Sequence, residues 1–258
     1  MALRDLMSGF AHNLRAARWW IAAQFLGFPL IALAFIGWTR LPEKHWWQVA
    51  LSLLLPLVLL AAALVLKAGA VRRMMSESQP RAPLFWGALS LLVWIAIAWF
   101  VWALLDKWDD KIFLWSGYLS SKAPAGWRAR LFTYQHLFFC FTRIEWFLRW
   151  IVLPALLIPF GTASAVSAWR LIWRAAFRVL CDWRWLLAAL VLGFLGVDPS
   201  GESFHSAPHG TLAAQIWALV FKITYAYVWG FVCWILLLAW ACTLLKHAEA
   251  PKLSEPEP

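Results

Sequence analysis

WWQVALSLLLPLVLLAAALVL, residues 46–66, contains no ionisable side chain, and its reading decides the class of the fold. At 1.5 Å of rise per residue it makes about 30 Å of helix, which matches the hydrocarbon thickness of a bilayer. A helix on the surface of a soluble core keeps one polar face, whereas this segment is apolar all round and belongs in lipid or in the middle of a bundle. Working outward, residues 19–38 and 84–105 are equally free of ionisable side chains. Three further stretches, 144–163, 180–197 and 222–245, carry charges such as Glu145, Arg149, Arg184 and Lys222 only near one end. The expectation is an all-α polytopic transmembrane bundle of about six spans, forming one integral-membrane domain over residues 1–245. The tail 246–258 is rich in Pro and Glu and is expected to be disordered.

The whole chain agrees with that reading. Its 258 residues are 63% hydrophobic and only 14% charged, a balance that no ordinary soluble domain carries. Four Cys without a Cys-x-x-Cys pair offer neither a disulfide framework nor a zinc ribbon. The run 19–38 is too long for the apolar region of a secretory leader and is expected to remain as a span. Pro29, Pro56 and Pro154 fall inside spans, where each removes a backbone donor and favours a kink. Many of the 22 Trp, among them Trp19, Trp38, Trp46, Trp102, Trp150 and Trp185, stand at span ends and read as an aromatic belt.

Orientation follows from the Lys and Arg between spans. With the N-terminus inside, thirteen cations fall on inner segments and nine on outer ones, so both termini are expected on the cytoplasmic side of a bacterial inner membrane. The net charge of +10 then reads as anchoring to anionic lipid. No separate basic domain exists that would suit nucleic acid.

The chain also resembles itself. At an offset of 166 residues, RWWIAAQFLGF (18–28) lies against RWLLAALVLGF (184–194) with seven of eleven positions identical, and Arg4 and Leu14 match Arg170 and Leu180. In a chain so rich in Trp, Ala and Leu the match is either chance or a duplicated unit. A duplication makes spans one and two correspond to spans five and six, both starting from the same side. Both copies are preceded by a segment of amphipathic, basic character. In the first, Leu3, Leu6, Met7, Phe10, Leu14 and Ala17 recur at helical spacing and are expected to face the membrane. In the second, Trp169, Trp173, Phe177 and Leu180 form one stripe, and Arg170, Arg174 and Arg178 form the next.

Three constellations are candidates for function. Arg170, Arg174, Arg178 and Arg184 suit lipid phosphates, because guanidinium groups bind phosphate oxygens in pairs; the plainer reading is generic anchoring. His136, Arg143, Glu145 and Arg149 make a possible polar cluster in 128–149, with Glu145 and Arg149 one helical turn apart. That segment is expected to form an outer interfacial helix. Asp198, Glu202, His205 and His209 share an outer loop with metal-ligating chemistry, but Pro208 breaks the His-x3-His spacing, and the expectation is no metal and no cofactor. Asp182 is expected to pair with Arg178. No HExxH, GxSxG or P-loop pattern is present. The functional expectation is a scaffold or accessory subunit without catalytic activity, binding anionic membrane lipid and membrane-protein partners or a second copy of itself. A small permease or channel component is the alternative, and a lipid-modifying enzyme ranks last.

Overall fold

The computed structural model describes residues 3–41, 44–75, 83–128, 131–166, 169–205 and 210–249, and all regular structure in them is helical. Five helices are long and apolar enough to cross a membrane, or six when one sharply bent pair is taken as a span. The all-α bundle follows from the apolar runs themselves, since a helix bonds all its interior backbone groups to itself.

α1 (Leu3–Ala16) leads through a break at Ala17 into α2 (Arg18–Trp38), which packs as a hairpin against α3 (Trp46–Met74). Polar and small residues fit the two together. Buried Gln24 donates from Nε2 to the Leu66 carbonyl at 2.9 Å. Gly69 leaves room for the ring of Trp20, which a Cβ there would approach to 2.4 Å. α4 (Leu84–Lys122) has 39 residues and is about 58 Å long, so it overshoots any bilayer. Residues 106–122, read from the sequence as loop, are therefore helix, and they lie along the next long element.

That element corrects an expectation. A short α5 (Ala125–Arg128) is followed by α6 (Tyr134–Phe147), a π-helical turn at Leu148–Val152 and α7 (Leu153–Ser164), which together run as one 31-residue helix. Within 128–149, residues 134–149 thus form the first half of span four, and the separate interfacial helix is replaced by a continuation of the span. Pro154 explains the π turn: it lacks an N–H and its ring clashes with the carbonyl one turn earlier, and an extra residue in that turn moves the carbonyl aside.

α8 (Trp169–Leu180) and α9 (Trp183–His205) meet at a bend of 72°. Asp182 makes the corner, accepting the Arg184 N–H on Oδ1 at 2.9 Å as the N-cap of α9. Residues 198–205 continue α9, where the sequence suggested a loop. α10 (Leu212–Glu249) begins well before residue 222 and carries Lys246–Glu249, part of the tail expected to be disordered, as its last turn; residues 250–258 lie outside the described ones. α10 is the central helix, burying Leu237, Leu238, Ala241, Cys242 and Leu245 against α7, α8 and α9.

The order and spacing of helices in the second half parallel those in the first. α2 and α9 begin at Arg18 and Trp183, 165 positions apart, and α3 and α10 begin at Trp46 and Leu212, 166 apart. In each half an amphipathic helix precedes the hairpin. The halves differ in what they bury: Trp19 is 75% exposed, whereas its counterpart Trp185 is fully buried and donates to the Ala155 carbonyl at 3.0 Å. Trp185 is a packing residue of α7 and α9, where the sequence placed it in the aromatic belt. The stripe of α1 departs similarly. Leu6, Asn13 and Ala17 are buried against the bundle and Phe10 meets the Trp240 ring edge-on, so this face packs mainly on protein.

Candidate functional site

Two places combine polar side chains with open space. The first is a cleft of about 260 Å³ at the end of the bundle where α1, α8 and α10 meet. Its walls carry Arg178, Asp182, Arg184 and His247 over a floor of Leu6, Val179 and Leu244. α8 positions Arg178 by burying Ala175, Ala176 and Val179, which turns the guanidinium outward to bond the Ala248 carbonyl at 2.8 Å. The 72° bend brings Arg184 around to the same cleft, although it belongs to the next helix. Of the four arginines singled out in the sequence, two therefore share one site. Arg174 is exposed on the same helix, and the side chain of Arg170 lies outside the described residues. Asp182 acts as the α9 cap, a role its neighbours' charges did not announce. The Trp stripe of α8 splits its duties: Trp173 and Phe177 pack their rings on Phe160 at 5.2 and 5.4 Å between centroids, yet remain 41% and 53% exposed.

The second place is an elongated crevice of about 430 Å³ between α3, α4, α7 and α10. Its walls are almost wholly apolar, with Arg149 at one end and Lys67 towards the other. Arg149 pairs with Glu145 and with Asp106, the latter at 2.8 Å, and lies 4.7 Å from the centre of the Trp102 ring. This network contains half of the polar cluster seen in the sequence. Asp106 comes from α4 and was not anticipated, while His136 and Arg143 are exposed on another side of α6, with Arg143 resting on Phe139.

Lys67 was missed altogether, having been counted among the inner loop cations. The structure puts it inside α3, seven residues before the helix ends at Met74, with its ammonium 3.9 Å from the centre of the Trp234 ring. The signal was present in the sequence, because AGAV (68–71) keeps the helix apolar beyond Lys67. Among the described residues no three His, Cys, Asp or Glu side chains converge as metal ligands would. His209 and the side chain of His205 lie outside them. No protein-family model, curated protein or solved structure matches the chain.

Proposed function

We propose that this integral membrane protein binds anionic lipid headgroups at its basic end and serves there as a non-catalytic scaffold or accessory subunit, with both termini on the cytoplasmic side of a bacterial inner membrane. The observation that carries the reading is the cleft in which Arg178 and Arg184, from two different helices, face one space beside an apolar floor. Phosphate oxygens suit such a pair of guanidinium groups. α8 lies in the interface on this reading, with Trp173 and Phe177 at the acyl boundary and Arg174 among headgroups. Partner proteins or a second copy would then meet the bundle through its exposed helix faces. The carboxylates on both sides of Arg149 favour a structural ion pair over an ion path, because each ion-pairs with the guanidinium.

The test uses the full-length protein extracted from vesicles of mixed phosphatidylglycerol and phosphatidylcholine, with retained lipid identified by native mass spectrometry. Enrichment of the anionic lipid is expected for the wild type. Each Arg near an anionic surface contributes about 1 kcal/mol, so Arg178→Gln with Arg184→Gln should reduce that enrichment by more than about tenfold. Trp173→Ser should leave the headgroup preference in place. Retention in the bulk lipid ratio by the wild type would remove the headgroup function.

A further inference from the structure

We propose that the crevice between α3, α4, α7 and α10 is a binding site for a membrane amphiphile with an acidic head and a hydrocarbon chain, its head held by Lys67. The first ground is an imbalance of hydrogen-bonding groups. Lys67 has no carboxylate partner among the described residues, and its recorded contact is the Trp234 ring. The indole nitrogens of Trp94 and Trp234, both lining residues, are buried without acceptors. Three donors therefore border one cavity, and no Asp or Glu lines it. A cation set among apolar walls is costly to leave uncompensated, and a ring face offsets only part of that cost. An anionic oxygen would supply the missing acceptor.

Position argues against the simplest alternative, in which Lys67 reaches out to the interface. Trp234, the ring it lies on, is twelve residues before Lys246, or about 18 Å of helix before the last turn of α10. Arg149 is no rival for the head, since Glu145 and Asp106 already neutralise it.

Shape supplies the chain. Along α7 and the turn before it, the lining runs from Arg149 to Thr162, thirteen residues or about 20 Å, past Trp150, Leu153 and Ile158. A volume of about 430 Å³ is within the range of small-molecule sites. Entry is from the side: the lining residues Leu60 of α3 and Ile95 of α4 are 40% and 48% exposed on the apolar outer surface. A ligand dissolved in lipid reaches the crevice there without passing through water.

Purified full-length protein in a neutral detergent is titrated with radiolabelled palmitate, with lysophosphatidic acid and 1-hexadecanol as competitors. The expected result is one saturable palmitate site per chain, displaced by lysophosphatidic acid and at least about tenfold more weakly by the uncharged alcohol. The tighter of the two acids then assigns the head as carboxylate or phosphate. Lys67→Met should bring palmitate down to the alcohol's affinity, while Lys67→Arg keeps the preference. Ala98→Phe, which narrows the chain-binding part, should weaken acid and alcohol alike and leaves the charge intact should Lys67→Met fail to fold. Equal competition by acid and alcohol, absence of a saturable site, or unchanged palmitate binding in Lys67→Met would overturn the proposal.

Discussion

A guanidinium within a bundle of apolar helices is tolerated only where opposite charge and hydrogen bonds surround it, and Arg149 shows how much must be assembled. Glu145 stands one turn away on the same helix, Asp106 reaches across from α4, and the face of Trp102 covers the remaining side. The two carboxylates are unequal, because Glu145 is 8% exposed whereas the Asp106 side chain is 57% exposed. Arg149→Met strands a buried carboxylate and should cost about 3–5 kcal/mol of stability. Asp106→Asn removes a partner that water replaces and should cost under about 1 kcal/mol. Unfolding of both variants in one detergent checks the order, and adding Glu145→Leu to Arg149→Met should recover most of the loss. The Glu145–Arg149 pair was legible in the sequence because four-residue spacing is a local rule. Asp106 was not, since nothing along the chain tells which helices become neighbours. Lys67 was misread for a related reason: a cation near the end of an apolar run looks like an anchor until a facing ring places it inside.

Among the elements, the α8 to α9 corner decides whether the basic cleft exists, because it alone brings Arg178 and Arg184 together. The sequence announced α8 well, with aromatic and basic stripes at helical spacing, and it allowed the segment to lie across the axis of the following span. It did not announce the corner, since Asp182 reads there as the ion-pair partner of Arg178. The cap is what the structure selects, through the bond from the Arg184 N–H. Asp182→Ala should cost about 1 kcal/mol and loosen the 72° angle. Spin labels at exposed positions 174 and 187 measure this by pulsed electron resonance: the wild type should give one narrow distance, and the variant a broader distribution. An unchanged distribution would mean that Ala176 and Val179, buried beneath α8, hold the angle by packing alone. Segment 128–149 failed as a reading for the opposite reason. Its charges suggested an interfacial helix, but Arg149 pairs with Asp106 of α4 and with Glu145, so the helix could continue into the span.

At the scale of the molecule, the contact between the two ends of the chain fixes the number of crossings. Asn13, 1% exposed, donates to Thr243 Oγ1 at 2.9 Å and accepts from Lys246 Nζ at 2.7 Å, so α1 and the last turns of α10 share one face of the bundle. An even number of traversals must separate them. The five long helices alone would leave the ends on opposite faces; α9, the other arm of the bent pair, supplies the sixth crossing. The helix order is compatible with the same count, because α8, α9 and α10 stand in the order of α1, α2 and α3 with the long helices α4 and α6–α7 between them. Which side that is depends on charge. The shared face carries Arg15, Arg18, Arg72, Arg73, Arg178, Arg184 and Lys246, and the proposed orientation puts so basic a face in the cytoplasm. Ser8, exposed on α1, and Ser121, exposed at the far end of α4, are separated by three crossings and should therefore lie on opposite sides. Single cysteines at these positions in an otherwise Cys-free protein test both steps with a membrane-impermeant thiol reagent in intact cells. Position 121 should react and position 8 should react only after permeabilisation. The reverse pattern would keep the three crossings between them and invert the protein, whereas equal reaction at both positions in intact cells would break that count.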